Sequence, residues 1–268
     1  MKFLAAVIQM LASPDKVANL REAEGWVREA ADKGAKLVAL PEVFNWRGGK
    51  DEERTFAEPI PGPSSTAMAQ LAQELKIFLL AGSILEEIPG SEKAYNTSLF
   101  FGPNGKLISR YRKIHLFDVQ IEGGVSTMES ETRRGGQEVV LAETELCKMG
   151  LTICYDLRFP ELYRALAAKG AQLILVPSAF TALTGEAHWE PLLRARAIEN
   201  QAYVVAPNQV GHNPKSFATY GHSMVLDPWG RIVAQAADRP GVVLGEIDLA
   251  YLAKVRAQLP ALSHRKLF

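Results

Sequence analysis

The chain has 268 residues, of which 47% are hydrophobic, and its 30 basic residues balance 30 acidic ones to a formal net charge of zero. Nucleic-acid-binding proteins usually carry a basic excess, so this balance argues against that class of function. The length is sufficient for one domain that buries a large core without disulfides or metals, and we expect a single domain over residues 1–268.

The apolar run at residues 4–10 is too short to span a membrane and has no cleavage site typical of a signal peptide. We therefore expect a cytoplasmic protein without a membrane partner. Cys147 and Cys154 are the two cysteines of the chain, and we expect free thiols. The five histidines show no zinc-binding spacing, so neither a metal nor a cofactor is predicted.

Short apolar runs alternate with amphipathic stretches in the first half of the chain. We predict strands at 5–10, 37–40 and 77–80, and helices over 14–33 and 63–75, the second capped by Ser64-Ser65-Thr66. The runs 95–101 and 107–111 flank Gly102-Pro103-Asn104-Gly105, whose proline and glycine positions indicate a hairpin turn.

The second half repeats this order, which indicates one domain with two similar halves. We predict strands at 151–154, 173–176 and 202–206, helices over 159–169 and 186–200, and a hairpin of 223–226 and 232–235 around Pro228. Strand–helix–strand connections imply parallel neighbours, whereas hairpins add antiparallel pairs. The fold class is therefore α/β, with two mixed β-sheets packed face to face and helices outside.

Three residues, Glu42, Cys154 and Lys113, are candidates for catalysis. Glu42 ends the run 37–40 after Pro41, and is either a solvated carboxylate or a proton acceptor at the mouth of a cleft. Cys154 is either inert core or a nucleophile, since the helix predicted after it would place backbone N–H groups near the thiol. Lys113 lies beside Arg110 and Arg112, either in a solvated basic strip or as a fixed charge that stabilises an oxyanion.

A cysteine hydrolase usually employs a histidine base, and no histidine here has a local signature for that role. Glu42, Lys113 and Cys154 form a chemically complete alternative, because they supply a proton acceptor, an oxyanion donor and a nucleophile. We assign no function to Cys147, Arg110 or Arg112.

Three segments together resemble the nitrilase superfamily of carbon–nitrogen hydrolases. They are Pro41-Glu42-Val43-Phe44, the Tyr-Arg-Lys-Ile-His-Leu run within 111–118, and the Cys-Tyr-Asp-Leu-Arg-Phe-Pro-Glu run at 154–161. The resemblance covers essentially the whole chain. It implies an αββα four-layer sandwich that commonly forms a homodimer or a dimer of dimers.

The resemblance also implies residue roles. The family's base, lysine and nucleophile correspond to Glu42, Lys113 and Cys154, and its second glutamate corresponds to Glu129. The backbone N–H of Tyr155 would meet the oxyanion, and Phe180 and Thr181 would line the substrate site. The expected products are a carboxylate and ammonia, formed through a thioester.

The segments 177–180, 184–190 and 220–224 resemble the deaminated-glutathione amidase branch of the family. Glu186 departs from this pattern, because both this branch and the ω-amidase branch commonly have proline there. We expect a small-molecule amide substrate, deaminated glutathione in the first place. An ω-amidase acting on α-ketoglutaramate, an N-carbamoyl amide hydrolase and a non-catalytic binding protein remain alternatives.

Overall fold

A computed structural model of the protein describes residues 1–122 and 125–267. The strands are β1 (Lys2–Gln9), β2 (Leu37–Ala39), β3 (Phe78–Leu80), β4 (Ile84–Glu87), β5 (Ala94–Phe101), β6 (Leu107–Arg112), β7 (Asp118–Gln120), β8 (Ser126–Met128), β9 (Leu141–Glu143), β10 (Lys148–Leu151), β11 (Leu173–Leu175), β12 (Tyr203–Ala206), β13 (Val210–Gly211), β14 (Thr219–Tyr220), β15 (Met224–Leu226), β16 (Ile232–Gln235) and β17 (Gly241–Asp248). The helices are α1 (Lys16–Asp32), α2 (Glu53–Phe56), α3 (Pro63–Leu75), α4 (Glu129–Thr132), α5 (Pro160–Ala168), α6 (Ala182–Asn200) and α7 (Leu249–Gln258).

The two large sheets are both mixed. The first has the order β17-β1-β2-β3-β5-β4, with β6 paired to β5, and its strands β1, β2 and β3 are parallel. The second has the order β16-β15-β12-β11-β10-β9, with β10, β11 and β12 parallel. Antiparallel strands flank each parallel set. The sheets face each other and helices cover their outer faces, which confirms the αββα arrangement.

Strand β1 shows why the first sheet is apolar on both faces. Successive side chains of a strand point to opposite faces. Ala5 and Val7 belong to the core between the sheets, whereas Ala6 and Ile8 pack with residues of α1 and α3 on the outer side. Because both faces are buried, the run is continuously apolar instead of alternating.

Helix α3 has the predicted bounds but a different cap. Its N-cap is Gly62, and Pro63 occupies the first turn, where the missing N–H of proline costs nothing. The Ser65 hydroxyl, one turn inside the helix, accepts the Gly62 N–H at 2.8 Å. The prediction of a cap at Ser64-Ser65-Thr66 was therefore wrong about the capping residue.

Two boundaries in the second half also differ from the prediction. Helix α6 begins at Ala182 and not at residue 186, because the Thr181 side chain caps it and accepts the Thr184 N–H. Strand β10 ends at Leu151, and Cys154–Arg158 form a 3-10 helix. The apolar run to Cys154 thus extends past the paired strand, and its last residues are buried in a turn.

The apolar stripe of α5 packs inside the protein. Leu162 and Leu166 on this stripe belong to the main core, so the stripe is not available as a surface for self-association. Large apolar side chains are exposed instead at Leu183 and Ile198 of α6 and at Trp229 near the tip of the β15–β16 hairpin. Within residues 1–122 and 125–267, no helix has both the length and the apolar character needed to cross a bilayer.

Candidate active site

Glu42, Lys113 and Cys154 line one narrow chamber together with Glu129 and Tyr155. Glu42 follows β2 and Lys113 follows β6, so both come from the first sheet, whereas Cys154 follows β10 of the second sheet. Packing the two sheets face to face therefore assembles the chamber. Its free volume is about 20 Å³, which is room for roughly one water molecule.

The carboxylate of Glu42 is buried and accepts three hydrogen bonds. Its Oε1 accepts from Lys113 Nζ at 3.0 Å and from Asn96 Nδ2 at 2.8 Å. Its Oε2 accepts the backbone N–H of Ala179 at 2.8 Å. These bonds fix the orientation of both carboxylate oxygens, and Glu42 is only 3% exposed. Glu42 is therefore not a solvated carboxylate at the end of a strand.

Lys113 is held between two carboxylates. Its Nζ also donates to Glu129 Oε2 at 2.9 Å, and the side chain is 1% exposed. Burial alone would lower the pKa of Lys113, but the charges of Glu129 and Glu42 outweigh it and raise that pKa above its ordinary value. The ammonium therefore persists at neutral pH and can serve as a fixed positive charge.

Glu129 is anchored from several sides. Its Oε2 accepts the backbone N–H of Phe117 at 2.8 Å, and Arg133 Nη1 donates to its Oε1 at 2.5 Å. Burial would raise the pKa of Glu129, but Lys113 and Arg133 lower it well below its ordinary value. Glu129 is thus ionised at neutral pH and holds the Lys113 ammonium in place.

The thiol of Cys154 is buried. Burial raises its pKa well above the ordinary value, and the Glu42 carboxylate raises it further, while Lys113 acts in the opposite direction. At neutral pH the thiol is therefore neutral. Such a thiol becomes a nucleophile only when a base takes its proton, and Glu42 is the carboxylate beside it.

The backbone presents Cys154 at a tight turn. Its φ is 47°, in the left-handed region that residues other than glycine seldom adopt. Its N–H donates to Pro177 O at 3.0 Å, and Asp156 Oδ2 accepts the Ile153 N–H at 2.8 Å. The Tyr155 N–H comes next, in the first turn of the 3-10 helix, where N–H groups lack intrahelical partners. It is available to an oxyanion.

Phe180 and Thr181 line the same chamber. The Phe180 ring packs against Trp189, with centroids 5.2 Å apart. Thr181 Oγ1 lies 2.6 Å from Thr184 Oγ1 at the start of α6. Both side chains are held in place by α6, so they form a fixed wall of the chamber.

A wider cavity of about 430 Å³, which we call the outer cavity, continues from the chamber. Glu42, Phe117, Glu129, Ala179 and Phe217 line both spaces. Arg47, Lys50, Arg133 and Lys215 add four cationic side chains to the outer cavity. The narrow chamber therefore opens into a wider space that is lined by several positive charges.

The residues to which no catalytic role was assigned lie outside the chamber. Arg110 and Arg112 donate to Glu86 Oε1 at 3.2 and 2.6 Å, and so neutralise a carboxylate that is otherwise buried. Burial raises the pKa of Cys147 to about 12, and no other cause contributes. Cys147 is thus an inert core thiol.

Several residues of the site escaped the sequence analysis. Asn96, which bonds Glu42, lies inside strand β5 and has no distinguishing neighbours in the sequence. Asp156 accepts hydrogen bonds from the Ile153 N–H, the His115 N–H and the Tyr111 hydroxyl. Tyr111 and Asp156 both lie in segments that resemble the nitrilase superfamily. The sequence did not indicate that their side chains form a hydrogen bond with each other.

Within the part of the chain that the structure describes, no group of three or more His, Cys, Asp or Glu side chains has metal-binding geometry.

The chain is similar to a known protein family over most of its length. Residues 4–257 match the carbon–nitrogen hydrolase family.

Curated relatives match over nearly their whole length. An ω-amidase of Xenopus tropicalis is 44% identical over 99% of this chain and 95% of its own. A deaminated glutathione amidase of Synechocystis is 44% identical over 98% of both.

Solved structures agree with the fold. The structure of yeast Nit3, a member of the nitrilase superfamily, is 38% identical, covers 99% of this chain and 97% of its own, and superimposes with a TM-score of 0.90. A variant of an amidase from Nesterenkonia, 26% identical over 96% and 95% of the two chains with a TM-score of 0.80, carries the acetamide moiety of fluoroacetamide on its active-site cysteine. This chain therefore belongs to the carbon–nitrogen hydrolase family and is an amidase of the nitrilase superfamily.

Proposed function

We propose that the protein hydrolyses a small-molecule amide with Cys154 as nucleophile, Glu42 as general base and Lys113 as oxyanion donor. One observation carries this proposal: the Lys113 ammonium is fixed between Glu42 and Glu129 in a chamber that also holds a neutral, buried thiol. The covalent adduct on the active-site cysteine of the Nesterenkonia amidase supports covalent catalysis by such a thiol.

Glu42 and Glu129 have different roles in this proposal because their charged neighbours differ. Lys113 and Glu129 stabilise each other as ions, so neither exchanges protons readily. Glu42 bonds the same ammonium and also acts on the pKa of the Cys154 thiol, which leaves it as the proton carrier. Glu129 is then a positioning residue, because it acts on the substrate through Lys113.

The reaction follows from these roles. Glu42 takes the thiol proton as Cys154 Sγ bonds to the amide carbon, and Lys113 and the Tyr155 N–H stabilise the oxyanion. Glu42 gives the proton to the departing nitrogen as the carbon–nitrogen bond breaks, which leaves a thioester. Glu42 next takes a proton from water that attacks the thioester, and its return to sulfur restores the thiol. Losing one oxyanion donor of this kind costs about 2.7–4 kcal/mol of barrier.

We propose deaminated glutathione as the substrate, with α-ketoglutaramate as the alternative. A cavity of about 430 Å³ lies within the roughly 300–1,000 Å³ typical of sites for ligands larger than a five-carbon amide. The amide of deaminated glutathione is secondary, so the amine that leaves is cysteinylglycine. Ammonia, the product expected from the sequence, is released only from a primary amide such as α-ketoglutaramate or from an N-carbamoyl compound.

The decisive test measures α-ketoglutarate, the product that both proposed substrates share. Purified protein should form it from at least one of them, whereas Cys154→Ala should not, with an unchanged circular dichroism spectrum. Cys147→Ala is the matched control and should retain turnover. Equal activity of Cys154→Ala and the parent protein would contradict the assignment, and binding without turnover by the parent protein would favour a non-catalytic binding protein.

Assembly is a separate proposal. We propose a homodimer or a dimer of dimers, which the family commonly forms. The exposed apolar residues Leu183, Ile198 and Trp229 offer a surface for it, in place of the α5 stripe. Light scattering that gave the monomer mass at micromolar concentrations would refute this assembly.

A further inference from the structure

The four cations of the outer cavity differ in their partners. Three of them bond to carboxylates: Lys50 Nζ lies 2.6 Å from Glu131, Lys215 Nζ lies 3.1 Å from Glu52, and Arg133 bonds both Glu53 and Glu129. Arg47 has no such ion pair among the residues that the structure describes. Of the four cations, Arg47 is thus the one without a carboxylate at salt-bridge distance in the described part of the chain.

Arg47 is fixed and mostly desolvated. It is 5% exposed, its Nη2 donates to Ser216 Oγ at 2.9 Å and to Phe217 O at 3.2 Å, and its guanidinium lies 5.0 Å from the centre of the Phe217 ring. Its Nη1 is buried without a hydrogen-bond partner in the described part of the chain. An unpaired buried donor on a cation is unfavourable, so an acceptor that enters the cavity would bind there strongly.

Trp46, next to Arg47 in the sequence, lines the same cavity and carries a second unpaired donor. Trp46 is 3% exposed, and its Nε1 is also buried without a partner among the described residues. The indole stacks on Phe56 with ring centroids 4.5 Å apart. A Cβ at Gly48 would lie 2.3 Å from Trp46 Cζ2, so a glycine is required for this packing. Two adjacent residues thus offer donors and no acceptor.

The charge of Arg47 persists near the reacting groups. Burial lowers the pKa of Arg47 to about 10, while Glu42 and Cys154 are close enough to influence it electrostatically. At neutral pH the guanidinium is therefore still protonated. A charged donor at this place, beyond the narrow chamber, suits a negative group on the far end of a substrate whose amide reaches Cys154.

We propose that Arg47, with the Trp46 N–H as a second donor, binds a carboxylate of the substrate remote from the scissile amide. The enzyme would thereby select amides that are also carboxylic acids over neutral amides of equal length. This inference rests on the proposed amidase function and names its substrate class. Guanidinium and carboxylate form short, charge-assisted hydrogen bonds, often in pairs.

The test compares two amides that differ only at the far end. Glutaramate ends in a carboxylate, whereas pentanamide ends in a methyl group. In Arg47→Met the ratio of kcat/KM for glutaramate to that for pentanamide should fall about tenfold to a hundredfold, the range of one charge-assisted contact. Arg47→Lys should retain part of the preference, because it keeps the charge and loses the forked donor.

Lys215→Met is the matched control, since Lys215 lines the same cavity but already bonds Glu52. Its substrate ratio should equal that of the parent protein. An unchanged ratio in Arg47→Met, or an equal fall in Lys215→Met, would overturn the assignment, the latter because it would indicate a general field effect.

A binding measurement separates this inference from the amidase proposal. Glutarate should bind to Cys154→Ala in calorimetry, at least about tenfold more weakly after Arg47→Met is added, and more weakly by a smaller factor after Arg47→Lys is added. If one variant fails to fold, the other decides. Parent protein that forms no α-ketoglutarate from deaminated glutathione or α-ketoglutaramate would refute the proposed function, whereas glutarate binding unaffected by Arg47 would refute the carboxylate site.

Discussion

The hydroxyl of Tyr111 donates a 2.6 Å hydrogen bond to Asp156 Oδ2, and both side chains are completely buried. Tyr111 lies two residues before Lys113 at the end of β6, and Asp156 lies two residues after Cys154. This bond therefore joins the segment that presents the ammonium to the turn that presents the thiol. It connects the two sheets beside the chamber and thereby helps to fix the distance between these two segments.

Tyr111→Phe should lower the free energy of unfolding by about 1.5–3 kcal/mol, the range for a hydrogen bond to a charged group. Urea denaturation measures this loss. Tyr163→Phe is a suitable control, because the Tyr163 hydroxyl meets the neutral Thr152 Oγ1 at 3.2 Å, and a bond between neutral groups contributes only about 0.5–1.5 kcal/mol. A larger loss from Tyr163→Phe would contradict this account.

Lys113→Ala and Glu42→Gln should each reduce kcat by at least about a hundredfold, the scale of one oxyanion donor or one general base. Steady-state kinetics on a common amide, with circular dichroism to verify folding, measures both. Arg112→Ala is the control, since Arg112 bonds Glu86 outside the chamber. If Arg112→Ala reduced kcat as much as Lys113→Ala, the interpretation of this segment as a basic strip would regain support.

The Cys154 thiol should ionise only at alkaline pH, because burial and the Glu42 carboxylate raise its pKa. Glu42→Gln removes a negative charge beside the thiol, so the pH at which the thiolate forms should fall. Lys113→Ala removes a positive charge, so that pH should rise. The ultraviolet absorbance of the thiolate, recorded in a Cys147→Ala background, follows Cys154 alone. Shifts of the opposite sign would contradict the arrangement.

Deaminated glutathione should be hydrolysed with a higher kcat/KM than α-ketoglutaramate, because its cysteinylglycine arm can occupy more of the outer cavity. A preference of about tenfold to a hundredfold would correspond to one additional charge-assisted contact by the arm. Release of α-ketoglutarate from both amides under one condition provides the comparison. A clear preference for α-ketoglutaramate would favour the ω-amidase alternative and leave the mechanism unchanged.

The sequence was sufficient to predict the fold class, because the apolar runs, helical spacings and hairpin turns are local signals. Glu42, Lys113 and Cys154 were selected together through the segments that resemble the nitrilase superfamily, because the local pattern at each residue also allowed a role without catalysis. The predicted end of the strand near Cys154 was wrong, because an apolar run does not distinguish a paired strand from a buried turn. Contacts such as Asn96 with Glu42 depend on pairing between distant segments, and no local pattern encodes them.

The origin of the three reactive groups in different sheets has a consequence for the integrity of the protein. The first half of the chain supplies Glu42 and Lys113, and the second half supplies Cys154, so neither half alone contains the complete proposed reaction centre. Under the proposed mechanism, turnover therefore requires the two sheets to be packed against each other. Mild denaturation that loosens this docking should abolish turnover while each sheet still retains its hydrogen-bonded strands.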